Sequence, residues 1–416
     1  MQAVILAAGQ SSRFVPFTTF SHKSMVKIMG KSILEHTLIS LQKGGIDHVV
    51  IVVGENSDIS KKVGDGKTYG LKITYVTHIG AKGMGAALLD AEKYLDKSFF
   101  VLNAYHLEFD IFAKHLLKQQ ITDDTVVLLA QKPLSSNQFG VMEINGEKVV
   151  GIEEKPKKVL DNHLQIIGIY LLNKNFLEIL KLTPLEHYHF EKALDTYAKK
   201  YSVSYYKTKE NALSLKYAWD LLTIKNYIMQ KLKSHISKNA EIGKNVSITG
   251  EVYVDENAKI MEGAVLKGPV YIGKNAIVGN YAILRNNVDI EEGVVVGARM
   301  ELKNSLLLSG VTTHSGFLGD SIVGCNTKIA AYVCSANARL DREAVTTIVK
   351  EEKVSSGLRH LGVIIGEKVN VGIRVSTMPG VIIGNESIIG PSTNVMKNIA
   401  PKTKYYTRFS EIIETT

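Results

Sequence analysis

The sequence predicts two architectures in one chain: an α/β domain on a mostly parallel sheet, followed by a parallel β-helix of hexapeptide repeats. Three observations carry this. Aliphatic residues recur at every sixth position through Ile236, Ile242, Ile248, Val254, Ile260, Leu266, Ile272, Val278, Leu284, Ile290, Val296, Leu302 and Leu308. Neither a helix nor a strand repeats with that period, whereas a coil of three short flat faces, each turning one aliphatic side chain inward, does. The preceding residues instead alternate short apolar runs with helical spacing, the pattern of a sheet covered on both faces. Finally, 416 residues suffice for two full cores. The expected boundaries are 1–232 for the α/β domain, 233–405 for the coil and 406–416 for a tail.

In the first domain, residues 1–8 read as a buried strand running into a loop of small residues, Gly9 to Arg13. Residues 32–44 have helical spacing, with Ile33, Leu34, Leu38 and Leu41 on one side. Residues 48–53, 71–76 and 98–103 read as strands, and 86–95 and 220–231 as helices. The result is a Rossmann-like order, in which ligands bind beyond the carboxyl ends of the strands. Gly9–Arg13 and Asn103–His106 both follow strands and belong at that rim. Backbone N–H groups of a small-residue turn cradle phosphate, and Arg13 and Lys23 add charge-assisted contacts.

In the coil, the next rung after Leu308 falls on His314, and the register then jumps by three through Phe317, Val323, Ile329 and Ser335. A second ladder follows at Ile365, Val371, Thr377, Ile383, Ile389 and Val395. A polar rung in an apolar row needs a partner or a cleft, which singles out His314. It reads either as a turn-corner histidine with its hydrogen bonds satisfied or as a functional base.

Composition narrows the function classes. The N-terminal apolar run is too short for a signal peptide or a membrane span. Cys325 and Cys334 have no metal-like spacing, which points to a reducing, cytoplasmic location. The net charge of +9 is carried by scattered lysines without interleaved aromatics, so neither nucleic acid nor membrane is an expected partner. The charge does favour phosphorylated substrates.

Residues 6–25, LAAGQSSRFVPFTTFSHKSM, resemble the signature of the sugar-phosphate nucleotidylyltransferases. GKSILEHTL, KGMGAALLDA, QFGVMEINGEKVVGIEEKP, IIGIYLL and YAWDLL continue that resemblance in order. HSGFLGDSIVG, CSANARLD, SSGLRHLGVIIG and VGIRVSTMPGVIIG are similar to the left-handed β-helix of archaeal-type bifunctional enzymes, sugar-1-phosphate uridylyltransferases fused to an amino-sugar acetyltransferase. The resemblance implies a reaction joining a nucleoside triphosphate to a sugar 1-phosphate with release of pyrophosphate. It also implies Mg²⁺ as cofactor, acetyl-CoA as co-substrate of the coil, and a homotrimer.

Carried over residue by residue, the resemblance implies nucleotide binding by Leu6, Ala7, Ala8, Gly9, Arg13, Lys23, His78 and Gly83, with Arg13 and Lys23 catalytic. Sugar contacts fall on Gly140, Glu154 and Lys155, and the metal ligand on Asp220. In the coil His314 is the implied general base, with Asn337 beside the acyl-transfer site. Several positions differ from the family pattern. Ser11 stands for a loop glycine and His22 for the proline before the lysine. Tyr105 replaces the aspartate that holds the metal, and Met84 a threonine. Ile166 replaces an asparagine, His187 a sugar-contacting glutamate, Phe317 a tyrosine, and Glu343 and Thr346 two lysines. Serine tolerates positive φ less well than glycine, so a displaced loop is expected at Ser11. Three readings stay open: an active nucleotidylyltransferase, a chain that acts mainly as an acyltransferase, and a non-catalytic member that binds a sugar nucleotide or a partner enzyme.

Overall fold

A computed structural model describes residues 1–17, 22–80, 83–119, 124–133, 139–146, 148–186, 188–210, 212–410 and 412–414. By its internal contacts the chain forms two compact units. Met1–Gln10, Ser24–Val26 and Ser32–Ser214 make the first; Ser11–Lys23, Lys27–Lys31 and Leu215–Thr416 make the second.

The first unit holds a nine-stranded sheet. Its elements are β1 (Gln2–Ala7), α1 (Ile33–Lys43), β2 (His48–Gly54), β3 (Lys72–His78), α2 (Gly83–Asp90), β4 (Ser98–Asn103), α3 (Phe109–Leu117), β5 (Thr125–Gln131), β6 (Gly140–Asn145), β7 (Lys148–Glu154), β8 (His163–Asn173), α4 (Lys174–Leu182), α5 (His189–Lys200) and β9 (Ser202–Lys207). The strand order is β9-β5-β8-β4-β1-β2-β3, with the β6–β7 hairpin attached to β8. The pairs β4–β1, β1–β2 and β2–β3 are parallel, as the apolar runs predict, but β8 is antiparallel to both neighbours. One core packs Leu34, Leu38, Leu41, Phe109 and Phe112 against the sheet. The other packs Leu88, Phe176, Leu180, Phe190 and Leu194 against it. Helix α1 starts where Ser32 and Glu35 cap one another, each side chain taking the other's backbone N–H. The helix expected over 86–95 is instead α2, beginning at Gly83, followed by a separate short turn at Glu92–Tyr94.

In the second unit, a helix α6 (Asp220–Met229) precedes a parallel β-helix of the left-handed hexapeptide type with three sheets of eight, nine and eight strands. Ile236 pairs with Val254, Val254 with Ile272 and Ile272 with Ile290, so three six-residue rungs make one coil. The rungs from Val254 to Leu302 are buried in a single apolar core. Each buried Leu, Ile or Val contributes about 1.5–3 kcal/mol relative to exposure. Residues with φ near +60° turn one corner on successive coils: Asn257, Asn275, Gly293 and Gly310. Asparagine and glycine tolerate that left-handed conformation best.

The ladder leaves its predicted register at the twelfth interval, after Leu302. Ile290 pairs with Leu307, not Leu308, and Leu302 with Leu318, not Phe317. The coils are shortened there, and consecutive leucines at 306–308 allow the slip. Thr313 is therefore the rung beside Ile329, and His314 is exposed one position beyond it. Its backbone carbonyl lies so close to the previous coil that a Cβ on Gly297 would come within 2.0 Å, which excludes any other residue there. Val323 and Ser335 do stack, on Ile365 and, next to it in order, Thr377, across an inserted segment. Among the described residues no helix is long and apolar enough to cross a membrane.

Replacing the fully buried Leu284 by alanine is expected to cost about 2–5 kcal/mol in chemical denaturation. His314→Ala, outside the core, is expected to stay within about 0.5 kcal/mol of the parent. A large loss in the second variant would return His314 to the apolar row.

Candidate functional site

Within the first unit, the carboxyl ends of parallel strands assemble one rim. Leu6 lies beside Asn103 in register, and Gly54 lies beside both Ala8 and His78. Ala7 is buried, while Gly9 is exposed, with open space where a Cβ would stand. Asn103 donates from Nδ2 to the Tyr105 hydroxyl at 3.3 Å, and the Tyr105 and His106 rings lie 4.8 Å apart. A Cβ on Gly168 of β8 would meet Asn103 Nδ2 at 2.7 Å and His106 Nε2 at 3.3 Å, so only glycine admits this packing.

The β6–β7 hairpin brings Gly140 opposite Glu154, and a Cβ on Gly140 would strike Glu154 Oε2 at 2.6 Å. Ile166 lies at the edge of the same contact. Burial pushes the Tyr170 hydroxyl well up, with Glu191, Glu154 and Tyr105 adding negative potential, which puts Glu154 and Tyr105 in one electrostatic neighbourhood. Lys155, at φ +51°, donates from Nζ to the Tyr188 hydroxyl at 2.9 Å. His187 lies outside the described residues. His78 is 6% exposed and its Nδ1 lies 2.6 Å from Asp90 Oδ2. Both border a cleft of about 460 Å³ that also includes Ile79, Lys181, Thr183 and His189. Gly83 opens α2 at φ +82°, again with open space at its Cβ position.

Within the second unit, Arg13, Lys23, Lys216 and Asp220 form a charged cluster. Ser11 does take a left-handed φ of +52°, so the serine accepts the glycine-like conformation, and its carbonyl closes a turn onto Phe14 N–H at 2.8 Å. Arg13 is exposed. Lys23 donates to the Leu215 carbonyl at 2.5 Å. Burial lowers its ammonium to about 8; Asp220 opposes that shift, and Arg13 and Lys216 reinforce it. Asp220 is the first residue of α6, and its Oδ2 accepts from the Lys216 and Tyr217 N–H groups at 2.6 and 2.9 Å. Burial nevertheless raises its carboxyl to about 6. A half-buried cation and a half-buried carboxylate, both displaced toward neutrality by desolvation, suit a site built to receive an anion and a cation. Burial also lowers the adjacent His22 to about 3, so it stands neutral.

Further along the coil, Asp320 gathers Asn337 Nδ2 at 2.6 Å, Lys303 Nζ at 2.8 Å and Asn304 Nδ2 at 2.7 Å. Gly319 fits between Phe317 and Asn337, both within 3 Å of its Cβ position. Among the described residues no hydrogen bond joins His314 to Asn337, whose amide is taken by Asp320. Glu343 and Thr346 stand at the root of the inserted hairpin, where Glu343 N–H donates to Asp341.

Two features escaped the sequence reading. Lys216 is the near neighbour of Asp220 in LKYAWD, a lysine four residues ahead of a helix-opening aspartate. His106 and Glu108 form a buried pair, Nδ1 to Oε1 at 3.4 Å, in which His106 Nε2 and Glu108 Oε2 find no partner among the described residues. Two titratable residues spaced by two after a buried strand were the available signal.

The profile of the nucleotidyl transferase family matches residues 2–235. The bifunctional protein GlmU of Methanococcus maripaludis strain C7 is 37% identical over 99% of both chains. A bifunctional sugar-1-phosphate nucleotidylyltransferase/acetyltransferase of Sulfurisphaera tokodaii is 30% identical over 96% of this chain and 98% of its own. A solved UDP-glucose pyrophosphorylase in complex with UDP-glucose covers 55% of this chain and 98% of its own at 20% identity, with a TM-score of 0.46.

An anion docked on Lys23 raises its proton affinity, so binding near the folded value of about 8 takes protons up. Calorimetry of tripolyphosphate in buffers of different ionisation enthalpy is expected to show net uptake between about pH 7 and 9, and its loss in Lys23→Met. Equal uptake in the variant would move the titrating group elsewhere.

Proposed function

Because the chain belongs to the nucleotidyl transferase family, we propose that it is a sugar-1-phosphate nucleotidylyltransferase, and that the observation carrying this is the half-buried cluster of Lys23 and Asp220 with Arg13. In the reaction, a phosphate oxygen of the sugar 1-phosphate attacks the α-phosphorus of a nucleoside triphosphate. The bond from that phosphorus to the bridging oxygen breaks, and pyrophosphate leaves with the electron pair. Negative charge spreads over the phosphoryl oxygens, and Lys23 and Arg13 offset it. Gly9 leaves room for a phosphate to approach backbone N–H groups, and Glu154 accepts a sugar hydroxyl above the gap kept open by Gly140. His78 and Gly83 border the nucleotide.

For Mg²⁺ the donor set is sparse. Among the described residues no three acidic, histidine or cysteine groups cluster. Asp220 has both backbone hydrogen bonds on Oδ2, leaving Oδ1 for a cation, whereas the Tyr105 phenol is a poor ligand for a hard ion. The residues fit an ion held by one carboxylate, with phosphate oxygens and water completing the shell. When bound, it would supply Lewis-acid neutralisation of the phosphates.

A second activity rests on the coil, where Asp320 orients Asn337 and His314 is exposed. We assign His314 as the base that frees an amino-sugar amine to attack the thioester of acetyl-CoA, the thiol leaving. Phe317 in place of a hydroxyl and Glu343 in place of a cation weaken the hold on a phosphorylated acceptor. Assembly as a homotrimer belongs to the same proposal and predicts three times the 45.8 kDa chain mass by light scattering. A monomer mass would overturn it.

Pyrophosphate release across nucleoside triphosphates and sugar 1-phosphates is the deciding assay. Turnover is expected, and Asp220→Asn or Lys23→Ala should reduce it by about 10²-fold or more. Tyr105→Asp should lower the Mg²⁺ concentration needed for half-maximal rate. A folded protein without turnover would favour the binding-only reading.

A further inference from the structure

The coil carries an inserted segment between the stacked rungs Ser335 and Thr377. Within it Thr346–Val349 and Glu352–Ser355 form an antiparallel hairpin. The arm is anchored: Val345 and Val349 are buried, and Asn398 Nδ2 donates to the Ile348 carbonyl at 2.8 Å. Its two-residue turn places Lys350 at φ +51° and Glu351 at φ +67°. Such a turn requires positive φ twice and favours Asn-Gly, so Lys-Glu is a strained choice that turn formation does not explain.

At that tip, Lys350 Nζ donates to Ser12 Oγ at 2.7 Å, across 338 residues of sequence. Ser12 lies between the left-handed Ser11 and Arg13, in the loop that follows β1. Both Ser12 and Lys350 are exposed, and an ammonium has three donors, of which one is used. Residues of the second unit thus place Lys350 at the loop whose cationic neighbours are Arg13, Lys23 and Lys216.

We infer that Lys350 is a phosphate-contacting residue, carried to the loop by the coil's hairpin, and that its ligand is the triphosphate of the incoming nucleotide. This rests on the nucleotidyl-transfer reading for the identity of the ligand. The arm supplies a cation to the loop, and Ser12 holds that cation in place before the nucleotide arrives.

The test measures tripolyphosphate binding by calorimetry and turnover separately, on the full chain, in wild type, Lys350→Ala and Lys350→Arg. Loss of one charge-assisted hydrogen bond should weaken tripolyphosphate binding about tenfold in the alanine variant. The KM for the nucleotide should rise in parallel, while kcat and the KM for the sugar 1-phosphate hold, and arginine should restore most of the affinity. Unchanged tripolyphosphate affinity in Lys350→Ala overturns the inference. Equal losses for nucleotide and sugar phosphate, unrelieved by arginine, also overturn it, because they report a collapsed loop. A wild type that binds tripolyphosphate through Lys350 but releases no pyrophosphate upholds the contact and removes the turnover reading instead.

Discussion

The inward burial of one aliphatic side chain per six residues is the constraint on which the coil depends. Stacked parallel strands of two to four residues carry too few hydrogen bonds of their own to hold a register. What holds it is the continuous column of Val, Ile and Leu, each rung seated on the one a coil below. With the register so held, the corners are free to vary. Asp320, at a corner with φ +50°, collects Lys303, Asn304 and Asn337 because stacking superposes those positions, not because they are near in sequence. The inserted hairpin is tolerated for the same reason. Val323 still meets Ile365 and Ile329 still meets Val371, so the column continues as if the insertion were absent.

Buried charge in the second unit divides by what satisfies it. Asp289 and Glu291 are almost fully buried, and each accepts a backbone N–H, from Met29 at 2.9 Å and Gly30 at 3.0 Å. Lys225, beside them, donates to the Asn287 carbonyl and to Asn304 Oδ1. Burial drives the two carboxyls up and the ammonium down; the attraction of Lys225 for Asp289, and of Lys27 for Glu291, only partly offsets it. These groups fasten segments of one unit together. Lys23 and Asp220 show the same opposed displacement, yet Asp220 keeps one oxygen clear of backbone donors and Lys23 has Arg13 and Lys216 close enough to repel it. Three like charges gathered around one carboxylate repel one another, and an anionic ligand relieves that repulsion.

The coil was legible because a period of six belongs to no other regular structure, and thirteen successive rungs leave no freedom of phase. The register error at Leu308 has an equally physical source. Three consecutive leucines, 306 to 308, offer an aliphatic side chain in either register, so the shortened coil leaves no gap in the pattern. His314 then looked like a polar rung when it is an exposed residue beside the rung Thr313. In the first unit the strands were readable as apolar runs, but HLQIIGIYLLN carries no mark of direction. The antiparallel β8 follows from the tertiary connection alone. The Lys23–Asp220 cluster was readable only in its members. That Lys216 joins it, and that burial displaces both partners, depends on a chain fold that brings residues two hundred apart into contact.

The departures from the family pattern sort by what surrounds them. Ile166 and Met84, which replace groups that read hydroxyls or base edges, pack against the apolar core of the first unit. Phe317 lies against Gly319 in the coil. Each apolar replacement is therefore absorbed as packing. Of the charged groups proposed to act on phosphates, Lys23 and Asp220 stand where desolvation, and for Lys23 the nearby Arg13 and Lys216, make them costly to hold without a ligand. A protein that had lost phosphoryl chemistry would gain stability by replacing Lys23 or Asp220 with apolar side chains of similar size, as the sites at 166 and 84 have done. Under the proposed nucleotidyl transfer, charge held at a cost at Lys23 and Asp220 beside apolar residues at 166 and 84 would shift which sugar and base are read and keep the groups that act on phosphate.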